Sequence, residues 1–84
     1  MIDVYSKPHC VQCTATLRAL KSRGLTEGTD YTIYDLADEA NAAALEWIMD
    51  DLGYREAPIV VVSENHHWSG FRPDLIAGIR PAGE

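Results

Sequence analysis

The feature that most restricts the fold is a run of four β-branched residues, Ile59 to Val62, in the second half of the chain. The run contains no alternating polar residues, so it predicts a strand that is buried on both faces. Pro58 precedes the run and is suited to the first position of a strand. A strand of this kind requires neighbouring strands and helices packed against the sheet.

Six further segments show regular patterns. Strands are predicted from β-forming residues at Ile2–Tyr5, Tyr31–Tyr34 and His66–Trp68. Helices are predicted from Val11 to Arg23, from a cap at Asp38 to about Leu52, and from Pro73 to an end near Gly78 and Pro81. The order β-α-β-α-β-β-α predicts an α/β fold with a mixed four-stranded sheet flanked by three helices, in one domain over residues 1–84.

Length and composition limit the function classes. The 84 residues, 46% of them hydrophobic, can enclose one core, and no apolar run is long enough for a membrane span. The net charge of -6 opposes binding to nucleic-acid phosphates. The first residues lack the pattern of a secretory signal. We therefore expect a cytoplasmic, monomeric protein with neither nucleic acid nor membrane as a partner.

Both cysteines lie in one motif, Cys10-Val11-Gln12-Cys13, at the junction of the first predicted strand and helix. Unpaired backbone amides at a helix start stabilise negative charge, so we expect a lowered pKa and a nucleophilic thiolate at Cys10. Cys13 shares the apolar face of the helix with Leu17, and we expect it to be buried and neutral. The pattern assigns different roles to the two sulfurs.

Three other roles compete with a redox function for this pair. A structural disulfide closing so short a loop contributes only roughly 2 kcal/mol and is disfavoured in the cytosol. Zinc needs four ligands, and His9, His66 and His67 come without a second cysteine pair. The third is a cluster shared between two chains. A Cys-x-x-Cys beside a β-α-β pattern favours a redox dithiol, which needs neither a metal nor a bound cofactor.

Two residues near the motif have both a structural and a functional interpretation. Pro58 either marks only the strand start or forms a cis bond with Ala57 that faces Cys10 and leaves the Ala57 backbone free for an extended substrate. Lys7 either favours the thiolate electrostatically or serves solubility alone. The residue pattern leaves both questions open.

Three segments carry a family resemblance. They are Lys7-Pro8-His9-Cys10-Val11-Gln12-Cys13, Ala57-Pro58 and Trp68-Ser69-Gly70-Phe71-Arg72-Pro73-Asp74. Cys-x-x-Cys alone is common to many redox proteins, whereas the Val-Gln interior combined with the third segment is specific. Together, over nearly the whole chain, these segments closely resemble the NrdH-redoxin family.

The resemblance implies a thioredoxin fold with a cis bond before Pro58. It also implies a dithiol-disulfide oxidoreductase that NADPH-dependent thioredoxin reductase reduces and that donates electrons to the large subunit of class Ib ribonucleotide reductase. Catalysis is expected from Cys10 and Cys13. Substrate or partner binding is expected from the flanking residues Lys7, Val11, Gln12, Ala57, Pro58, Trp68, Ser69, Gly70, Phe71, Arg72 and Asp74.

The third segment predicts a patch beside the cysteines. Arg72 is expected to bond a carboxylate or backbone oxygen while lying against the Trp68 ring, and Asp74 to accept from amides in the first turn of the last helix. Trp68 and Phe71 are also interpretable as core residues that close the last strand onto that helix.

Two features depart from the family pattern. The Gly24–Asp30 loop is longer than usual, and Glu56 stands where a neutral residue is common, so its carboxylate is expected to alter partner preference or to raise the pKa of Cys10. Two alternative functions remain: a glutathione- or mycothiol-linked glutaredoxin that needs only Cys10, and a non-catalytic metal-binding module. Against the first, Glu56-Ala57-Pro58 and Ser69-Gly70 replace the Thr-Val-Pro and Gly-Gly signatures of glutathione-using glutaredoxins.

Overall fold

The computed structural model describes residues 2–80. Over this range its strands and α-helices are β1 (Ile2–Ser6), α1 (Val11–Ser22), β2 (Tyr31–Asp35), α2 (Ala42–Asp50), β3 (Ile59–Ser63), β4 (His66–Ser69) and α3 (Pro73–Ile76). The predicted element order is confirmed. Each strand extends one residue beyond its predicted end, because backbone pairing continues through a polar residue such as Ser6, which pairs with Asp35.

The four strands lie in the order β2-β1-β3-β4. β1 and β2 are parallel and are joined by the crossover helix α1, whereas β3 runs antiparallel to both β1 and β4. This mixed sheet with its helices has the thioredoxin fold, as the resemblance implies.

Hydrophobic clusters cover both faces of the sheet. The cluster that includes α1 and α3 contains the buried residues Ile2, Val4, Leu20, Leu25, Tyr31, Val60, Trp68, Ile76 and Ile79. The cluster that includes α2 contains Tyr5, Ile48, Ile59 and Val61. Because β3 supplies Val60 to one cluster and its two neighbours to the other, it is buried on both faces, as the β-branched run predicts.

The second helix begins in two stages. The Asp38 carboxylate accepts a hydrogen bond from the Ala40 N–H at 3.0 Å, which confirms the predicted cap. The cap opens a short 3-10 helix, Glu39–Asn41, before α2 begins. α2 then ends at Asp50, two residues before the predicted end at Leu52.

The third helix is shorter than expected. It ends at Ile76, after which the Gly78 N–H donates to the Leu75 carbonyl at 3.2 Å and the Ile79 N–H to the Ile76 carbonyl at 3.0 Å. These are tighter turns than those of an α-helix, and a glycine is a poor helix former. Ile79 is nevertheless buried. The predicted stop at Pro81 lies outside the described residues.

The sheet register brings three connections to one edge. Tyr5 near the end of β1 pairs with Ile59 at the start of β3, and Ile59 pairs with Ser69 at the end of β4. The loop after β1, the segment before β3 and the turn after β4 therefore lie side by side. The cysteine motif follows the first of these.

Candidate active site

Cys10 and Cys13 form a disulfide at the start of α1. Cys10 is the N-cap residue, and the Cys13 N–H donates to its Sγ at a nitrogen-sulfur distance of 3.2 Å. The Cys10 carbonyl accepts from both the N–H and the hydroxyl of Thr14, at 3.1 and 3.2 Å. The helix start thus aims an amide at the first sulfur, an arrangement that stabilises a thiolate after reduction.

The two sulfur-bearing residues differ in exposure. Cys13 is 4% exposed, whereas Cys10 is half-buried and is followed by Val11, which is 84% exposed. The expected burial of Cys13 is confirmed. An incoming disulfide therefore reaches Cys10 more readily.

The segment before β3 approaches Cys10 directly. The bond between Ala57 and Pro58 is cis, as the resemblance implies. The Ala57 carbonyl oxygen lies 3.8 Å from the Cys10 Sγ. Pro58 is buried, and the pairing of β1 with β3 starts only at Ile59, so the Ala57 backbone lies outside that ladder. Backbone placed in this way can pair with an extended peptide.

The turn after β4 is tied to the same segment. The Gly70 N–H donates to the Pro58 carbonyl at 2.8 Å, and the Ser69 hydroxyl donates to the Glu56 carbonyl. These bonds place Ser69 and Gly70 close to the cysteines as structural supports for the segment that faces Cys10.

Trp68 lies in the core rather than on a docking surface. It is 3% exposed and pairs in the sheet with Val60, which belongs to the same cluster. Paired residues in a ladder point to the same face, so the Trp68 ring is carried inward. The expectation that this side chain belongs to a partner-binding surface is not met, and the core interpretation is confirmed. Phe71, in contrast, is 38% exposed.

Arg72 pairs with Asp74 at the start of α3. Its Nη2 and Nε lie 2.9 and 3.2 Å from the two carboxylate oxygens of Asp74. The hydrogen bond with Arg72 lowers the pKa of Asp74 and raises that of Arg72. The predicted carboxylate bond is confirmed. The predicted stacking on Trp68 is corrected, because Trp68 is buried in the core whereas the Arg72 side chain is 51% exposed, and Trp68 has a ring contact with His66, 5.5 Å between centroids.

A groove beside Cys10 is lined by several charged side chains. Its lining consists of Lys7, His9, Cys10, Val11, Gln12, Arg55, Glu56 and Ala57. From the sequence, His9 is considered only as a zinc ligand, and no role is predicted for Arg55. His9 is exposed, with φ 57°. Its position directly before Cys10 is the sequence signal that could have placed it in the groove. For Arg55 the sequence gave no signal beyond its proximity to Ala57.

Within residues 2–80, no three His, Cys, Asp or Glu side chains form a group that could hold a metal ion. In the same part of the chain, no helix has the length and apolar character needed to cross a membrane.

Comparison with known proteins identifies the family. The glutaredoxin family model matches residues 2–67. The glutaredoxin-like protein NrdH of Escherichia coli strain K12 is 36% identical over 81 residues, which cover 96% of this chain and 90% of that protein. The chain belongs to the NrdH-redoxin family. NrdH of Salmonella typhimurium is likewise 36% identical, with 95% and 89% coverage.

Solved structures agree with this assignment. The NrdH-redoxin of Escherichia coli, which is described as having a thioredoxin-like activity profile, superposes with a TM-score of 0.75 at 36% identity, covering 96% of both chains. A glutaredoxin of Archaeoglobus fulgidus shares the fold, with a TM-score of 0.68 at 24% identity and coverage of 87% and 77%. Family membership and the Cys10–Cys13 disulfide together make this protein a thiol-disulfide oxidoreductase.

Proposed function

We propose that this protein carries electrons from an NADPH-dependent thioredoxin reductase to the large subunit of class Ib ribonucleotide reductase in the cytoplasm. The observation that carries the proposal is the pairing of an accessible Cys10 at the amide-lined start of α1 with a buried Cys13 one turn away. The similarity to NrdH proteins over 96% of the chain supports the choice of partners.

The chemistry proceeds in two exchanges. The Cys10 thiolate attacks one sulfur of the partner disulfide, forming a mixed disulfide, and the other partner sulfur leaves as a thiolate that takes up a proton. Cys13 then loses its proton and attacks the Cys10 sulfur, which releases the second partner thiolate. Two electrons pass to the partner, and the Cys10–Cys13 disulfide remains. Thioredoxin reductase restores the dithiol with electrons from NADPH.

The surroundings of Cys10 support a protein substrate. The Ala57 carbonyl, 3.8 Å from the sulfur, belongs to backbone that precedes the β1–β3 ladder and can bond an extended peptide carrying the target disulfide. The altered Glu56-Ala57-Pro58 and Ser69-Gly70 signatures favour thioredoxin reductase over glutathione as the electron source.

Parallel coupled assays test the electron source. The oxidised protein is given NADPH with thioredoxin reductase, with glutathione and its reductase, or with mycothiol and its reductase, and NADPH consumption is followed with oxidised class Ib large subunit as acceptor. We expect the thioredoxin reductase arm to be the fastest by a wide margin. Preference for either low-molecular-weight thiol would establish the glutaredoxin alternative instead.

Substitution of each cysteine tests the order of events. We expect Cys10→Ser to lose all disulfide reduction, and Cys13→Ser to accumulate a mixed disulfide with the large subunit that mass spectrometry detects. Ser22→Ala, at the other end of α1, is the matched control and should retain turnover. Full multiple-turnover activity of Cys13→Ser with thioredoxin reductase would contradict the dithiol mechanism.

A further inference from the structure

Thr16 lies on α1, three residues after Cys13, and is fully buried. Its hydroxyl oxygen has no hydrogen-bond partner among the described residues. A threonine inside a helix often satisfies its hydroxyl by bonding a backbone carbonyl one turn earlier, as Thr14 does with the Cys10 carbonyl at 3.2 Å. Thr16 makes no such bond, so its hydroxyl is an uncommitted donor in the interior of the protein.

The geometry of the helix directs this hydroxyl toward Cys13. Residues three apart on an α-helix lie on one face, with Cβ atoms about 5 to 6 Å apart, and each Cα–Cβ bond tilts toward the helix start. The Thr16 side chain therefore lies over the turn that contains Cys13. Both residues are buried, together with Leu20, on the inner face of α1.

The second exchange of the mechanism places a charge at this position. Cys13 must lose its proton and become a thiolate although it is only 4% exposed, and burial disfavours the charged form of a thiol. A hydrogen bond donated to the charged sulfur offsets that cost. The Cys13 step therefore needs a donor or a base close to the buried sulfur.

Other buried polar groups lie elsewhere in the fold. Besides Thr16, the buried polar or charged residue that the structure describes is Asp30, whose carbonyl accepts from the Ile2 N–H at 3.0 Å. Ile2 begins β1, and the cysteines follow the opposite end of that strand. The Tyr31 hydroxyl and the Trp68 Nε1 also lack partners within the described range, but they belong to strands β2 and β4. Of these groups, Thr16 is the one that shares a helix face with Cys13.

Gln12, between the two cysteines, is engaged outside the helix. Its Oε1 accepts a hydrogen bond from the Phe71 N–H at 2.9 Å, across 59 residues of sequence. A Cβ built on Gly70 would lie 3.1 Å from that oxygen, so glycine at this position leaves the space for the bond. The Gln12 amide is thus held at the turn after β4.

We propose that the Thr16 hydroxyl donates a hydrogen bond to the Cys13 thiolate and so speeds the second exchange. Cys13 gives its proton to solvent, Thr16 keeps its own, and the thiolate attacks the Cys10 sulfur. The new bond joins the two cysteine sulfurs, the bond between Cys10 and the partner breaks, and the partner sulfur leaves with the electron pair. This inference rests on the proposed function, because it concerns the Cys13 step of the dithiol mechanism.

The chromogenic disulfide dithionitrobenzoate separates the two exchanges. The reduced protein releases one coloured thiolate when Cys10 attacks the reagent, at a rate that rises with reagent concentration. It releases a second when Cys13 attacks Cys10, at a rate independent of that concentration. Stopped-flow absorbance at high reagent concentration therefore resolves both phases.

Substitution of Thr16 tests the hydroxyl itself. Thr16→Val keeps the shape of the side chain but removes the donor. We expect it to slow the second phase about tenfold, as the loss of a hydrogen bond to a charged group would, and the first phase by less than about twofold. Thr16→Ser keeps the hydroxyl and should return the second phase to near the wild-type rate.

Tyr31→Phe is the matched control, because it also removes a buried hydroxyl without a partner in the described part of the chain, but from β2. We expect both phases of this variant to match wild type. Urea unfolding of the oxidised proteins supplies a second comparison. Thr16→Val and Tyr31→Phe should both be at least as stable as wild type, so that only the Thr16 substitution slows the second phase, and without loss of stability.

Several outcomes would overturn the role of Thr16. They are an unchanged second phase in Thr16→Val, equal slowing of both phases, and a slow second phase that Thr16→Ser does not restore, which would assign the effect to side-chain shape. An oxidised Thr16→Val protein clearly less stable than wild type would also overturn it, because the hydroxyl would then be bonded before reduction. The proposed function fails separately: release of both thiolates by Cys13→Ser would contradict the dithiol mechanism whatever Thr16 does.

Discussion

Tyr31, at the start of β2, is fully buried, and its hydroxyl oxygen has no hydrogen-bond partner among the described residues. Burial raises the pKa of this phenol, and the neighbouring charges of Glu27 and Asp30 raise it further. A raised pKa means that the neutral phenol is favoured in the folded state. Its contribution to stability is complete below the ordinary tyrosine pKa of about 10 and is lost as pH rises through the folded-state value.

Replacing Tyr31 with phenylalanine should therefore stabilise the protein and reduce its sensitivity to alkali. We expect Tyr31→Phe to raise the free energy of unfolding by about 1 kcal/mol at neutral pH, since a buried hydroxyl without a partner is removed. Above pH 10 the advantage should grow, because the unfolded variant has one phenol fewer to ionise. Urea unfolding at pH 7 and pH 10.5 measures both effects.

The half-buried Tyr34, which stacks on Tyr5, provides the matched control. Tyr34→Phe keeps the stacking ring, and we expect less than half of the stabilisation at neutral pH. A Tyr31→Phe protein less stable than wild type at both pH values would show that the hydroxyl contributes favourably to the core.

Individual residues differ in how well the sequence alone predicts their burial and their contacts. The contrast between Cys10 and Cys13 was predictable because position on a helix face sets burial. The Gln12–Phe71 bond was not, because it joins residues 59 apart and depends on the backbone shape at Gly70. The burial of Trp68 was open until its pairing with Val60 fixed the side it faces.

At the scale of elements, α3 is a short helix held from several directions. Ile76 and Ile79 anchor it in the core, and the Arg23 Nε donates to the Ala77 carbonyl at 3.2 Å, which ties it to α1. The exposed Arg72–Asp74 pair lies at its first turn. Exposed ion pairs contribute little to stability, so we propose that this pair serves docking more than folding.

Removal of the pair should thus affect partner coupling more than stability. We expect Arg72→Ala to raise the KM for thioredoxin reductase several-fold, with Cys10 alkylation by iodoacetamide changed by less than about twofold and the midpoint of urea unfolding unchanged. Asp74→Asn removes the carboxylate that holds the guanidinium but keeps the positive charge of Arg72. This variant therefore separates the effect of the position of the guanidinium from the effect of its charge. A higher KM together with slower Cys10 alkylation and lower stability would show that the pair supports the fold around the cysteines.

The elements themselves were predicted in order but less well at their ends. Strand ends follow backbone pairing, which extends to Ser6, Asp35 and Ser69 although their side chains suggest loops. Helix ends follow local hydrogen bonding. At Asp38, for example, the predicted cap is present, but the helix that it begins is a 3-10 helix. Pairing partners and turn geometry are set by the assembled fold and are invisible in a single segment.

At the scale of the whole molecule, the charge of the side chains that line the groove beside Cys10 is opposite in sign to the net charge of the chain. The chain carries -6 overall, yet the groove beside Cys10 is lined by Lys7 and Arg55 against one carboxylate, Glu56. No ion pair within the described part of the chain joins these three side chains. At physiological salt the Debye length is about 8 Å, so groups near the sulfur determine the potential there more than distant acids do.

A pair of alkylating agents reads this potential directly. Iodoacetate is an anion and iodoacetamide is neutral, so the ratio of their rates at Cys10, divided by the ratio for a free thiol, reports the local charge. In a Cys13→Ser background at physiological salt, we expect Lys7→Gln and Arg55→Gln each to lower this ratio about 1.5- to 2-fold, and Glu56→Gln to raise it similarly.

Lys21→Gln is the control, because it changes the net charge equally but lies about 16 Å along α1 from Cys10, at 1.5 Å per residue. We expect the control to leave the ratio unchanged at physiological salt and to lower it only at low ionic strength. An equal effect of Lys21→Gln and Lys7→Gln at physiological salt would show that the net charge of the molecule, and not the groove, sets the potential at Cys10.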